Sequence, residues 1–147
     1  MARRILIIDG HSVIFAWPEL RRLHDQRSLS AREAIVRLMT EYQDATEEHV
    51  VVVFDGKSSK TTQEMIPGGI QVFYSKAGQT ADEIIERLVA KYANSRDITV
   101  ATADMMEQQT VISFGALAVT PDTLRTWLEE ARGDLKRRLE AFRPGRS

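Results

Sequence analysis

Three apolar runs in this chain end in an aspartate: "RRILIID" at Asp9, "HVVVVFD" at Asp55 and "DITVATAD" at Asp104. A fourth acid, Asp82, lies in "QTADEIIERL", which opens a helical pattern. Short apolar runs of this kind read as buried strands. In an open parallel sheet, ligands sit beyond the carboxyl ends of the strands. All four acids would then fall on one rim. Carboxylates brought together repel, and their pKa values rise unless a cation neutralises them. A hard divalent ion such as Mg²⁺ or Mn²⁺ is held by a few carboxylates and keeps several waters. Such an ion can activate water and offset the charge that builds on a phosphodiester during in-line attack.

Each acid also has a purely local explanation. Thr80 and Glu83 form a capping box, T-A-D-E, which makes Glu83 structural; D-M-M-E from Asp104 to Glu107 has the same form. Asp82, in a first helical turn, suits the positive end of the helix dipole. Asp9 before Gly10 and Asp55 before Gly56 fit turns. These explanations work one at a time. They account less well for three strand-end aspartates on one predicted rim, and the residues alone leave both readings open.

The elements that must position these acids alternate. Strands are expected near 3–9, 49–55, 70–75, 97–104 and, as the fifth, in "GALAVT". Helices are expected over 28–48, with Ser30 and Glu33 as a capping box and Ala34, Ile35, Leu38, Met39 and Tyr42 as the apolar stripe. Others are expected over 80–94, over 104–113, and from Pro121 after a Thr120 cap. In the last helix Leu124, Trp127, Leu128, Ala131, Leu135 and Phe142 mark the core face, with Gly133 as a weak point. "GKSSKTTQEMIPGG" reads as a loop or flap. Alternating strands and helices predict an α/β fold of three layers, α/β/α, around a mostly parallel five-stranded sheet.

The bulk numbers agree with a globular chain. Of 147 residues, 43% are apolar and 28% charged, and one domain over 1–147 is expected. There are no cysteines, which excludes disulfides and Cys-based zinc sites and is compatible with the cytoplasm. No unbroken apolar run exceeds the length of Val50 to Phe54, which is too short to cross a bilayer. Twenty basic residues against 21 acidic ones announce no nucleic-acid binder. The tail from about 132 is locally basic, with six cations and two acids between Arg132 and Arg146. It reads either as a solvated helix end favoured by the dipole or as a phosphate-contacting tail. Arg21, Arg22, Lys57 and Lys60 flank the predicted rim, as steering cations or as ordinary surface charge. Trp17 is either a stacking surface for a base or, preferably, an anchor for the short helix that follows.

"IIDGHSVIFAWPEL", "VVVFDG", "QTADEIIERL" and "VATADMMEQ" occur in that order over about 5–127. Together they resemble the YacP-like branch of the NYN domains, within the PIN-like nuclease superfamily. The resemblance implies a PIN-like fold and a Mg²⁺- or Mn²⁺-dependent endoribonuclease that acts on single-stranded RNA. It implies products with a 3′-hydroxyl and a 5′-phosphate, and messenger RNA at the ribosome as a setting. By position it makes Asp9, Asp82 and Asp104 the catalytic metal ligands and Asp55 a supporting one. Gln108, one turn after Asp104, becomes a contact to substrate or to ordered water. The family usually reads "DGYN" where this chain reads "DGHS". Ser12 keeps one hydroxyl where an amide is usual, so it lacks the reach and double capacity of Asn. His11 replaces the aromatic and is a candidate general acid or phosphate contact. The departure motivates a second reading, an RNA- or ribosome-binding module with weakened activity. A receiver-type phosphoacceptor also places aspartates at strand ends, but it expects a lysine after the final strand, and "GALAVTPDT" has none.

Overall fold

The computed structural model describes residues 4–56, 62–65 and 69–142. Its strands are β1 (Ile5–Asp9), β2 (His49–Phe54), β3 (Thr62–Met65), β4 (Gln71–Tyr74), β5 (Ile98–Ala101) and β6 (Leu117–Val119). Its helices are α1 (Gly10–Ala16), α2 (Pro18–Gln26), α3 (Ser28–Ala45), α4 (Ala81–Tyr92), α5 (Met105–Ser113) and α6 (Pro121–Ala141). The strands form one sheet in the order β3-β4-β2-β1-β5-β6. Every pairing is parallel except β3 with β4.

The sheet therefore has six strands where the sequence predicts five. The added strand, β3, falls in the segment read as a loop. Its polar residues Gln63 and Glu64 are exposed, and an edge strand needs a partner on one side only. The strand expected over 97–104 is shorter, Ile98–Ala101, and α1 lies where no helix was expected; the other corrections concern helix ends. The α3 helix starts at Ser28 with Arg27 at the N-cap position and no side-chain capping bond, so the predicted box from Ser30 to Glu33 is not its start. Phe142, expected in the core, is 85% exposed. The last buried residue of α6 is Ala131, so the end of the helix has no sheet beneath it. Gly133 does not interrupt α6.

Period-two alternation divides the sheet residues between two apolar layers. Leu6, Ile8, Val50, Val52 and Phe54 pack with Val13, Ile14, Trp17, Ile35, Met39, Leu124 and Leu128 from α1, α3, α6 and the α1–α2 junction. Ile5, Ile7, Val51 and Val53 pack on the other face with Ile84, Ile85 and Val89 of α4 and Val111 of α5. That makes three layers, α/β/α, as predicted. Trp17 is 2% exposed and its indole N–H donates to the Pro121 carbonyl at 3.0 Å. It anchors α1, α2 and α6 together and offers no stacking surface.

From β1 the chain runs outward through β2 and β4, then returns to place β5 on the other side of β1. The switch of direction lies between β1 and β5, where a ligand crevice is expected in such sheets.

Candidate active site

A cleft of about 540 Å³ opens at this switch point, and Asp9, Asp55, Asp82 and Asp104 all line it. The four acids predicted to share a rim do share one. Parallel register explains it. Asp9 closes β1 and pairs with Val53, two residues before Asp55. Ile8 pairs with Ala101, three residues before Asp104. Asp82 enters from the first turn of α4.

Asp9 occupies the N-cap position of α1, yet its side chain makes no capping bond. Its Oδ2 instead accepts from Ser12 Oγ at 2.8 Å and from Thr102 Oγ1 at 3.1 Å. Ser12 Oγ in turn accepts from the Ala103 N–H at 3.2 Å. The one hydroxyl of Ser12 thus acts as donor and acceptor at once and ties β1 to the end of β5. Gly10 lets the turn stay this tight: a Cβ there would collide with the Phe54 ring.

The other acids have mixed duties. Asp55 Oδ1 accepts from the Ala81 N–H at 2.8 Å, satisfying an open donor at the start of α4. Asp104 caps α5, its Oδ1 accepting from Met106 N–H at 2.9 Å and Glu107 N–H at 3.3 Å. Asp82 receives no hydrogen bond or ion pair among the described residues. Burial, and then the charges of Asp9, Asp104, Glu86 and Asp55, push its carboxyl up to about 6. Thr80 caps α4 by accepting from the Glu83 N–H at 3.2 Å, while Glu83 points to solvent.

Glu107 was legible in the sequence only as a capping partner. It is 4% exposed, and its Oε1 is buried without a hydrogen-bond partner. Burial first, then Asp82, Glu86, Asp104 and Asp9, push its carboxyl up to about 8. Its position three residues after Asp104, on the inward face of α5, was the available signal.

The remaining candidates divide. His11 lines the cleft, with Nδ1 3.5 Å from Asp55 Oδ2. Burial outweighs the neighbouring carboxylates and holds its imidazole below the usual range, so it is a poor proton donor at neutral pH. Gln108 does not line the cleft; its amide donates to the Thr102 carbonyl at 2.8 Å. Arg21 lies 5.9 Å over the Phe15 ring, which lines the cleft. Arg22 is exposed on α2 and does not line it. Lys57 and Lys60 lie outside the described residues. Arg32 is a rim cation the sequence reading missed: its guanidinium reaches the Asp55 carbonyl at 3.4 Å and lies over Phe54 and Tyr74. In the basic tail, Arg132 pairs with Glu41, Arg137 with Asp134, and Arg138 donates to the Ala45 carbonyl.

Among the described residues, no three His, Asp or Glu side chains form a ready-made cage for an ion. A small hard cation does not require one. It is commonly held by one or two carboxylates and several waters. A cleft lined by four carboxylates, one of them without a hydrogen bond among the described residues, with a buried orphan oxygen on Glu107 nearby, fits that mode.

A family model described as the YacP-like NYN domain matches residues 6–146. YacP of Bacillus subtilis (strain 168) is 35% identical over 141 residues, spanning 92% of this chain and 81% of that protein. The crystal structure of a mutant of Rae1 (YacP) from Bacillus subtilis superposes with a TM-score of 0.81 at 32% identity, over 97% of this chain and 85% of that one. A second crystal structure of Rae1 (YacP) gives 0.77 at 34% identity, over 93% and 80%. No described helix is long and apolar enough to cross a membrane. The chain belongs to the YacP-like NYN domain family, a nuclease-like family.

Proposed function

We propose that the chain is a metal-dependent endoribonuclease that cleaves single-stranded RNA by hydrolysis. The observation that carries this reading is the gathering of Asp9, Asp55, Asp82 and Asp104 in one cleft, with Asp82 pushed up to about 6 chiefly by burial and its acidic neighbours. Asp9 and Asp82, supported by Asp104 and Asp55, would hold Mg²⁺ or Mn²⁺. When bound, such a cation supplies the positive charge that acidifies water and offsets charge on the phosphodiester.

The chain's own residues do the positioning. Ser12 and Thr102 fix the Asp9 carboxylate by two bonds to Oδ2. Asp55 is fixed by the Ala81 N–H, and Asp104 by two N–H groups at the start of α5. Arg21 and Arg32 put positive charge at the mouth, where it favours the approach of a polyanion. No side-chain nucleophile is needed, and this scheme routes no proton through His11.

A weakened RNA- or ribosome-binding module was suggested by "DGHS". The bond that Ser12 retains to Asp9 supports the active reading instead. Messenger RNA at the ribosome, in the cytoplasm, is the setting we propose on family grounds. Incubating the protein with single-stranded RNA and Mn²⁺ or Mg²⁺ tests the reading. Cleavage to 3′-hydroxyl and 5′-phosphate ends is expected, abolished by EDTA and by Asp9→Asn or Asp82→Asn with the fold intact. Metal-independent cleavage, or full activity in both variants, would overturn it.

A further inference from the structure

We propose that Phe15 is a stacking platform for one nucleobase of the RNA strand that enters the acidic cleft, with Arg21 beside it for an adjoining phosphate. The proposal rests on the nuclease reading and adds a binding residue to it. Phe15 lines the cleft together with the four aspartates, yet 44% of its surface is exposed. Its neighbours on α1, Val13 and Ile14, are fully buried, so the helix turns Phe15 outward while they hold α1 to the sheet.

A lone exposed aromatic would mean little, but this ring is held from several sides. His11 stacks with it at 6.3 Å and 25°, and His24 meets it edge-on at 4.8 Å and 73°. The Arg21 guanidinium lies 5.9 Å from its centroid. His11 also approaches Asp55, so one ring lies between the platform and that acid. A partly exposed aromatic ring with a guanidinium near one face joins the two elements, base stacking and phosphate attraction, by which single strands are bound without reading sequence. Bases within a duplex are already stacked on each other and cannot reach it. Trp17, the other aromatic in "FAWP", is buried and cannot take this role.

The test uses the full chain carrying Asp82→Asn throughout, so that RNA is not cut. The probe is a single-stranded RNA of about 12 nucleotides, a length typical of single-strand binding sites, with 2-aminopurine at successive positions. Parent protein should bind it and quench 2-aminopurine at one position. Phe15→Leu should weaken binding by about 5-fold to 100-fold and abolish that quench, and Phe15→Tyr should restore both. Because Phe15 is partly exposed, both variants should keep the parent's melting temperature. Binding and quenching that are the same in the Phe15→Leu variant and the parent would overturn the platform and leave the nuclease reading standing. So would equal Phe15 dependence on a duplex of the same sequence. Failure of both this parent and the unsubstituted protein, the latter in EDTA and then in Mn²⁺, to bind or cut any RNA would overturn both.

Discussion

The two ends of the sheet treat charge in opposite ways. At the amino end, just before β1 and β2, Arg4 donates to Glu48 Oε1 at 2.7 Å and 2.6 Å through Nε and Nη2. Tyr42 donates to the other oxygen of Glu48, and Arg4 lies 4.9 Å over the Trp127 ring. Burial and Glu48 together push the Tyr42 phenol well above its usual range, so it stays a donor. Here the acid has its cation. At the carboxyl end, Asp9, Asp82, Asp104 and Glu107 lie close enough to repel one another; hydroxyls and N–H groups hold Asp9 and Asp104, while the carboxyls of Asp82 and Glu107 have no hydrogen bond among the described residues. Among the described residues, His11 and Arg32 lie close to Asp55, at the rim. Paired charge fixes a structure; unpaired like charge lowers stability unless something positive joins it. The first end reads as architecture and the second as a site.

The largest expected effect separates the two ends. Asp82→Asn should lower metal-dependent RNA cleavage by about 100-fold or more, since the lost charge stabilisation amounts to several kcal/mol. The same change should not lower the melting temperature in divalent-free buffer. Glu48→Ala should do the reverse. It removes charged hydrogen bonds from Arg4 and Tyr42 and should cost about 2 kcal/mol in urea unfolding, with activity per folded molecule unchanged. Equal loss of stability in the two variants would break the contrast.

Ser12→Ala sharpens it. Removing the hydroxyl that positions Asp9 should reduce activity by about tenfold, with Mn²⁺ required at higher concentration. Wild-type activity would mean that Thr102 alone fixes Asp9.

The smallest effect is a pH slope. The Glu107 carboxyl stands at about 8 in the folded chain against an ordinary 4.5, and Asp82 at about 6 against 3.8. Both are raised, so the folded state binds their protons more tightly than the unfolded state. Their contribution to stability is therefore present at low pH and is lost as pH rises through these windows. Without divalent ions, the melting temperature should fall between about pH 5 and about pH 8. Glu107→Gln should remove part of that fall, about 4 °C. An unchanged slope would remove Glu107 from the cluster.

Much of this was readable in the chain because strand-end position is encoded locally. A buried apolar run followed by Asp fixes where the acid lies, and parallel order then collects Asp9, Asp55 and Asp104. Thr80 and Thr120 announced their helices because capping is a short-range contact, and both accept the expected N–H. What was not readable depends on contacts between distant segments. Ser30 and Glu33 have the pattern of a cap, but the helix begins earlier, at Ser28. β3 exists because β4 offers it an edge, a fact absent from its own polar residues. Thr102 and Glu107 acquire their meaning only when β5 is laid beside β1. Trp17 and Phe15 are near neighbours in the chain and look alike as aromatics, yet the fold buries one and exposes the other.

Direct titration of the protein with Mn²⁺ near neutral pH, followed by the loss of the free-ion electron paramagnetic resonance signal, tests the central claim. Saturable binding is expected in the parent protein and should be lost or strongly weakened in Asp82→Asn and Asp9→Asn while both remain folded. Binding that is undetectable in the parent, or equally tight in all three proteins, would contradict the proposal that these acids are gathered to hold a cation.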